Sequence, residues 1–158
     1  ESMAYWLKDR VEFAVLNEPL TSVALMRGKS KSPERVLNLR EIWRDLHDGN
    51  SQGLPQAGLL VSSAFYEQNR EFLQHFQSEL SSSLDWSLAN TAEAAKIGSK
   101  LLDIPSPAIK VAIPHANLTV AAAADIREDL ELFFKTLYDM NPQILGGSMP
   151  KDNFILSL

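Results

Sequence analysis

The chain has 158 residues, no cysteine, 45% hydrophobic and 22% charged side chains, and a formal net charge of −5. That length suits one domain of ordinary size, and that composition suits a globular protein. Negative charge without a Lys/Arg-rich block argues against nucleic acid as a partner, the lack of cysteine removes disulfides, thiolate zinc sites and cysteine nucleophiles, and no apolar run approaches the roughly 18 residues that span a bilayer.

The first ten residues lack the basic start, apolar core and small-residue cleavage site of a secretory signal. They read as a helix entered midway, with Met3, Trp6 and Leu7 on one face, so a fragment of a longer protein is expected. Val11 to Leu20 follows, the stretch around which the chain is expected to be organised. Val11, Phe13 and Val15 alternate with Glu12, Ala14 and Leu16, a pattern that predicts a short, largely buried strand. Asn17, Glu18 and Pro19 then open a helix that carries Leu20, Val23, Ala24 and Leu25 and ends at Gly28. Asn17 and Glu18 have two open roles, as helix caps or as ligand contacts at the carboxyl end of a strand.

A polar loop covers 29–35. A helix from about Arg40 to Leu46 is expected to bury Leu39, Ile42, Trp43 and Leu46. Residues 47–56 carry Gly49, Gly53 and Pro55 and read as an exposed hinge. Ala57 to Ser62 is a continuous apolar run of strand length, and Ser62 and Ser63 at its end suit either a cap or a polar ligand. Phe72, Phe76, Leu80, Leu84 and Leu88 recur every four residues and predict one long amphipathic helix, with His75 on its polar side. Asn90 and Thr91 cap a helix to Leu102 with Glu93 in its first turn, and Ala108 to Ile113 can form another. Ala121 to Met140 is expected as a strong helix burying Ile126, Leu130, Phe133, Phe134, Leu137 and Tyr138. Phe154, Ile155 and Leu156 are expected to be buried against the helices carrying Phe72 and Phe133.

No catalytic motif is present, and His47, His75 and His115 are scattered over three segments, so neither a metal site nor a cofactor is implied. Three stretches together resemble the nitrate, sulfonate, taurine and thiamine-precursor branch of the bacterial ABC-transporter substrate-binding proteins. Val11 to Leu20 looks like that family's Gly-x-Val-Asp-Ala-Ala-Val-x-x-Glu-Pro segment. Leu54 to Phe76 is similar to its return strand and following helix, with Arg70 and Glu71 after Asn69 and no proline there. The ending from Ala124 onward is similar to its terminal helix and Ile-Gly-Gly-Lys-Leu-Pro-Asp-Asp-x-Phe-Tyr motif, departing at Ser148, Met149, Lys151 and Ile155.

The resemblance implies an α/β, periplasmic-binding-protein type II fold, here the helix-rich C-terminal portion of a two-lobed protein. Residues 1–46 would end the second lobe, 47–56 would be the hinge crossover, and 57–158 would complete the first lobe. It implies a non-enzymatic binder at the periplasmic or extracellular face, lipid-anchored in some members. Such a binder delivers a small polar or anionic ligand to an ABC permease, with Asn17, Glu18, Ser62 and Ser63 as ligand contacts. An enzyme like the family's pyrimidine synthase and a ligand-sensing regulatory domain are the alternatives. Only two or three strands are visible against the five or so a lobe needs, so either the missing N-terminal half or a second copy of the fragment is expected as a partner.

Overall fold

The computed structural model describes residues 1–47, 51 and 53–158. They form eight α-helices: α1 (Ser2–Leu7), α2 (Leu20–Arg27), α3 (Leu39–Leu46), α4 (Ser63–Gln68), α5 (Arg70–Ala89), α6 (Thr91–Leu102), α7 (Ser106–Ala112) and α8 (Arg127–Met140). Short 3-10 turns lie at Lys29–Lys31, Ile113–His115, Pro142–Leu145 and Asp152–Phe154. No strand occurs among the described residues, which overturns the expected α/β, periplasmic-binding-protein type II architecture. The physical reason is visible at both expected strands. An alternating apolar pattern favours extended backbone, but a strand exists only when a neighbour takes its backbone hydrogen bonds, and no neighbour is encoded locally. Residues 11–17 are irregular, and Phe13 and Val15 are 76% and 75% exposed where burial was expected. Residues 57–61 are irregular too, with Leu59 and Leu60 exposed.

The chain forms two compact units, residues 1–35 with 79–120 and residues 36–78 with 121–158. This is a division by local compactness and has no bearing on the lobes of a larger protein. Of the expected hinge 47–56, Asp48, Gly49, Asn50 and Gln52 lie outside the described residues, Ser51 is buried and 53–56 are irregular.

In the first unit α2 and α6 both pack on α7. The centre of that contact is Ala95, fully buried, with Ile109 and Ile113, and Ala94 and Ile104 packed around them. Small residues on α6 let α7 come close: a Cβ on Gly98 would stand 3.4 Å from the Ile109 side chain. α6 ends at Asp103 in the left-handed region (φ 53°), and Ile104-Pro105 starts α7 anew because proline cannot continue a helix. Asn90 is the N-cap residue of α6 as expected, and its carbonyl accepts from the Ala94 N–H at 2.9 Å, but its side chain turns back and donates from Nδ2 to the Trp86 carbonyl at 2.9 Å, closing the end of α5.

α1 forms as expected, with Met3, Trp6 and Leu7 its half-buried residues. Its last carbonyls are held by Lys31, whose Nζ donates to the Leu7 carbonyl (3.0 Å) and the Trp6 carbonyl (3.3 Å), pairs with Asp9 and sits over the Trp6 ring. A cation at a helix C-terminus satisfies carbonyls that have no partner within the helix. Gly28 does end α2, but for a reason other than left-handed capping. Its φ is −89°, and an added Cβ would fall 2.4 Å from the Trp6 ring. Glycine is required there by the close approach of an indole.

The second unit buries less. Among the described residues its buried hydrophobics are Tyr66, Leu73 and Ile155. In α3, Leu39, Ile42 and Leu46 are exposed, and only Trp43 is half-buried. α5 spans its expected length, yet the face that turns inward is Leu73 and not the stripe through Phe72 and Phe76. α8 begins at Arg127, six residues after the expected Ala121. The alanines before it have high helix propensity but no apolar face to bury, and propensity alone does not hold a short helix. Its Phe133, Phe134, Leu137 and Tyr138 are half-buried, and its one buried residue is Asp129.

The closing residues are tied down by polar contacts as much as by packing. The Tyr66 hydroxyl donates to the Ser157 carbonyl, and Arg127 Nη2 donates to the Ile155 carbonyl at 3.1 Å. Phe154 meets Phe134 edge to face at 5.8 Å but stays 49% exposed, whereas Ile155 is buried. Burial of the whole Phe154-Ile155-Leu156 run is therefore corrected to burial of its middle residue.

Two stability measurements check these assignments. Gly28→Ala should lower the unfolding free energy by about 1–3 kcal/mol through overlap with Trp6, and combining it with Trp6→Ala should recover part of that loss. In urea titrations Ile155→Ala should cost about 2–4 kcal/mol and Phe154→Ala clearly less, because half of its ring is already in water. Equal losses for the two would contradict the inward placement of Ile155.

Candidate functional site

Of the four residues singled out in the sequence, Glu18 has the most specific surroundings. Its side chain is 9% exposed, and both oxygens are used. Oε1 accepts from Arg35 Nη2 at 2.6 Å, and Oε2 accepts from the Ser22 backbone N–H at 3.1 Å. Arg35 Nη2 also donates to Ser22 Oγ at 3.2 Å, and Ser22 is 1% exposed. The local reason is the helix start. The Glu18–Pro19 peptide is cis, Pro19 is the N-cap of α2 and offers no side-chain acceptor, and the carboxylate one residue earlier reaches over to the orphan N–H of Ser22. Carboxylate at a helix N-terminus is also favoured by the macrodipole. Glu18 therefore acts as a cap and as the anchor of a guanidinium.

Arg35 was not found from the sequence. It lies 17 residues from Glu18, across α2 and a polar loop, so no short spacing rule connects them. The one signal available was a carboxylate between an apolar run and an apolar helix, where an unpaired charge is costly to bury. Arg35 is 35% exposed, and among the described residues its Nε and Nη1 make no hydrogen bond. Those N–H groups are a planar set of donors suited to carboxylate, sulfonate or nitrate. Asn17, next to Glu18 in sequence, is exposed, and its carbonyl accepts from the Thr21 N–H at 3.0 Å while its amide side chain has no partner among the described residues.

Ser62 and Ser63 belong to the other unit. Ser62 is the N-cap of α4, with Oγ accepting from the Phe65 N–H at 3.2 Å, and Ser63 is the first, exposed residue of that helix. Both positions are thus accounted for by helix initiation.

The same unit carries an aromatic ladder. Phe65 on α4 meets Phe72 on α5 edge to face at 6.1 Å, and Phe72 stacks with Phe76 at 6.2 Å. All three are 40–56% exposed. At their side, a wide, open groove of about 420 Å³ is lined by residues 67–72, with Arg70 over the Tyr66 ring at 4.6 Å and bonded to Glu67. Elsewhere, His47 stacks on Trp43 at 4.2 Å and Trp43 Nε1 donates to Ser51 Oγ at 3.0 Å, which gives the tryptophan a packing role rather than an exposed platform. Among the described residues no three His, Cys, Asp or Glu side chains gather as a metal site.

Compared with known proteins, the chain matches no family model, no curated protein and no solved structure.

The Glu18–Arg35 pair makes a direct expectation for stability. Glu18→Gln should cost about 1–3 kcal/mol, since it weakens a charge-assisted bond and a helix cap together. A double-mutant cycle with Arg35→Gln should return a coupling of about 1 kcal/mol, reduced from a fully buried pair by the solvent around Arg35. Additive losses in that cycle would show that the pair is only proximity.

Proposed function

We propose that the chain is the solute-binding component of an ABC importer, taking up a small anionic or polar ligand and handing it to a membrane permease without transforming it. In this reading it works at the periplasmic or extracellular face. The proposal does not carry the two-lobed α/β architecture with it. The observation that supports it most is Arg35, a half-exposed guanidinium held at one nitrogen by Glu18 and Ser22 with its other donors unused among the described residues. Three sequence stretches that resemble one family of solute binders, in that family's order, point the same way.

The roles divide by chemistry. Arg35 is the anion donor, because a planar fork bonds two oxygens of one group. Asn17 adds a neutral donor and acceptor for the rest of the ligand. Glu18 positions Arg35, and its side chain, 9% exposed, presents little surface to a ligand. A guanidinium donor suits a sulfonate or nitrate as the ligand. Ser62 and Ser63 remain with α4 as its start.

Calorimetric titration with taurine, nitrate and a hydroxymethylpyrimidine tests the proposal. Nitrate or taurine, a zwitterion whose sulfonate would meet the guanidinium, should bind without turnover. Arg35→Lys, which keeps the charge but loses the fork, should weaken that binding by at least about tenfold, near 1.4 kcal/mol. Asn17→Ala should weaken it by a smaller factor. No heat with any of the three, or an affinity untouched by Arg35→Lys, would remove this assignment.

A further inference from the structure

Two cations that hold the first unit together stand four residues apart in one loop. Lys31 closes the end of α1, donating from Nζ to the Leu7 and Trp6 carbonyls at 3.0 Å and 3.3 Å, pairing with Asp9 and lying over the Trp6 ring. Arg35 closes the start of α2, donating from Nη2 to Glu18 Oε1 at 2.6 Å and to Ser22 Oγ at 3.2 Å. The stretch between them has little freedom. Ser32 has a φ of 49°, in the left-handed region that a residue with a side chain seldom occupies unless its surroundings hold it there. Pro33 follows, with its φ fixed by the ring. From Lys31 to Arg35 the chain reaches at most about 14 Å, so neither cation travels far while the other stays in place.

We propose that residues 31–35 form a strap pinned at both ends, in which Lys31 positions Arg35 and the state of Arg35 is felt at α1. Each pin orders backbone that the other contact needs ordered, so the second contact forms at a raised effective concentration once the first is made. A broken pin therefore weakens its neighbour. Loss of the Lys31 contacts gives the guanidinium more room, and loss of the Arg35 contacts loosens the ammonium at the end of α1. Such coupling is reciprocal, as any linkage between two sites must be. Trp6 reports it directly, because its ring lies under Lys31 and against Gly28. The strap itself needs no ligand. Its use in transport rests on the solute-binding reading, in which an anion on Arg35 adds a further hold on the strap and firms α1.

A tether differs from a shared electrostatic field in its dependence on length, and that difference is measurable. With Trp43→Phe and Trp86→Phe, Trp6 is the only indole of the chain. In that background Arg35→Gln should redden the Trp6 emission and raise its acrylamide quenching, with helical circular dichroism retained. Inserting a short run of glycines between Ser32 and Pro33 keeps every pinning side chain but lengthens the tether, and should abolish this response. Should Arg35→Gln unfold the unit, Glu18→Gln, which weakens the same pin and keeps the cation, takes its place. In calorimetry with nitrate and with taurine, Lys31→Met should weaken the anion that binds by at least about threefold, and Lys31→Arg should restore it. A Trp6 signal indifferent to loss of the Arg35 pin, or a response that survives the glycine insertion, overturns the strap. Unaltered anion affinity in Lys31→Met does so too, and leaves the solute-binding reading standing. If neither anion binds, that reading falls instead, and the Trp6 response alone decides the strap.

Discussion

Ile109 rests against the bare backbone of Gly98 and the methyl group of Ala95, and the approach of α7 to α6 is set by that contact. A larger residue at either position would push the two helices apart. Because α2 also packs on α7, the placement of the first unit's other elements follows from it. The core so formed is close but thin. Ala24, Ala95, Ala108 and Ala112 make up much of what is buried, and an alanine removes little apolar area from water. Polar clamps supplement it: Lys31 closes α1, Arg35 and Glu18 open α2, and both cations come from the loop that the sequence marked only as polar.

The second unit is held differently. Its few buried side chains are joined by bonds from side chains to the backbone of the last residues, Tyr66 to Ser157 and Arg127 to Ile155. Such bonds specify a path for the chain more than they add stability, because each exchanges a bond to water for one within the protein. The apolar surface that would normally supply the stability faces outward on α3, on residues 59–60 and on α5. The outward aromatic ladder on α4 and α5 therefore adds little to the core of this unit.

These two features bear on function in separate ways. A guanidinium anchored at one end is a prepared anion donor, since Glu18 and Ser22 have already restricted its rotamers. An apolar face contributes association without chemistry. The guanidinium and the apolar face lie in different units.

The helices were legible in the sequence because their causes are local. α2, α5 over its full length, the break at Ile104-Pro105 and the inward face of α1 follow from periodicity, proline and capping within a few residues, whereas the glycine at the end of α2 answers to the distant Trp6 ring. Ser62 as a cap was legible for the same reason. What only the tertiary structure decided is every statement about partners distant in sequence. Alternation in Val11 to Leu16 expressed a preference for extended backbone but named no neighbour, so the expected strand stands as an irregular, exposed segment. The stripe from Phe72 to Leu88 marked an apolar face correctly and its direction wrongly, since amphipathicity records that a face seeks cover and not whether this chain supplies it. Glu18 was visible as a polar residue at a helix start, but its partner Arg35 was not. A charge pair across 17 residues leaves no periodic trace, and only folding of the loop over α2 brings the two groups together.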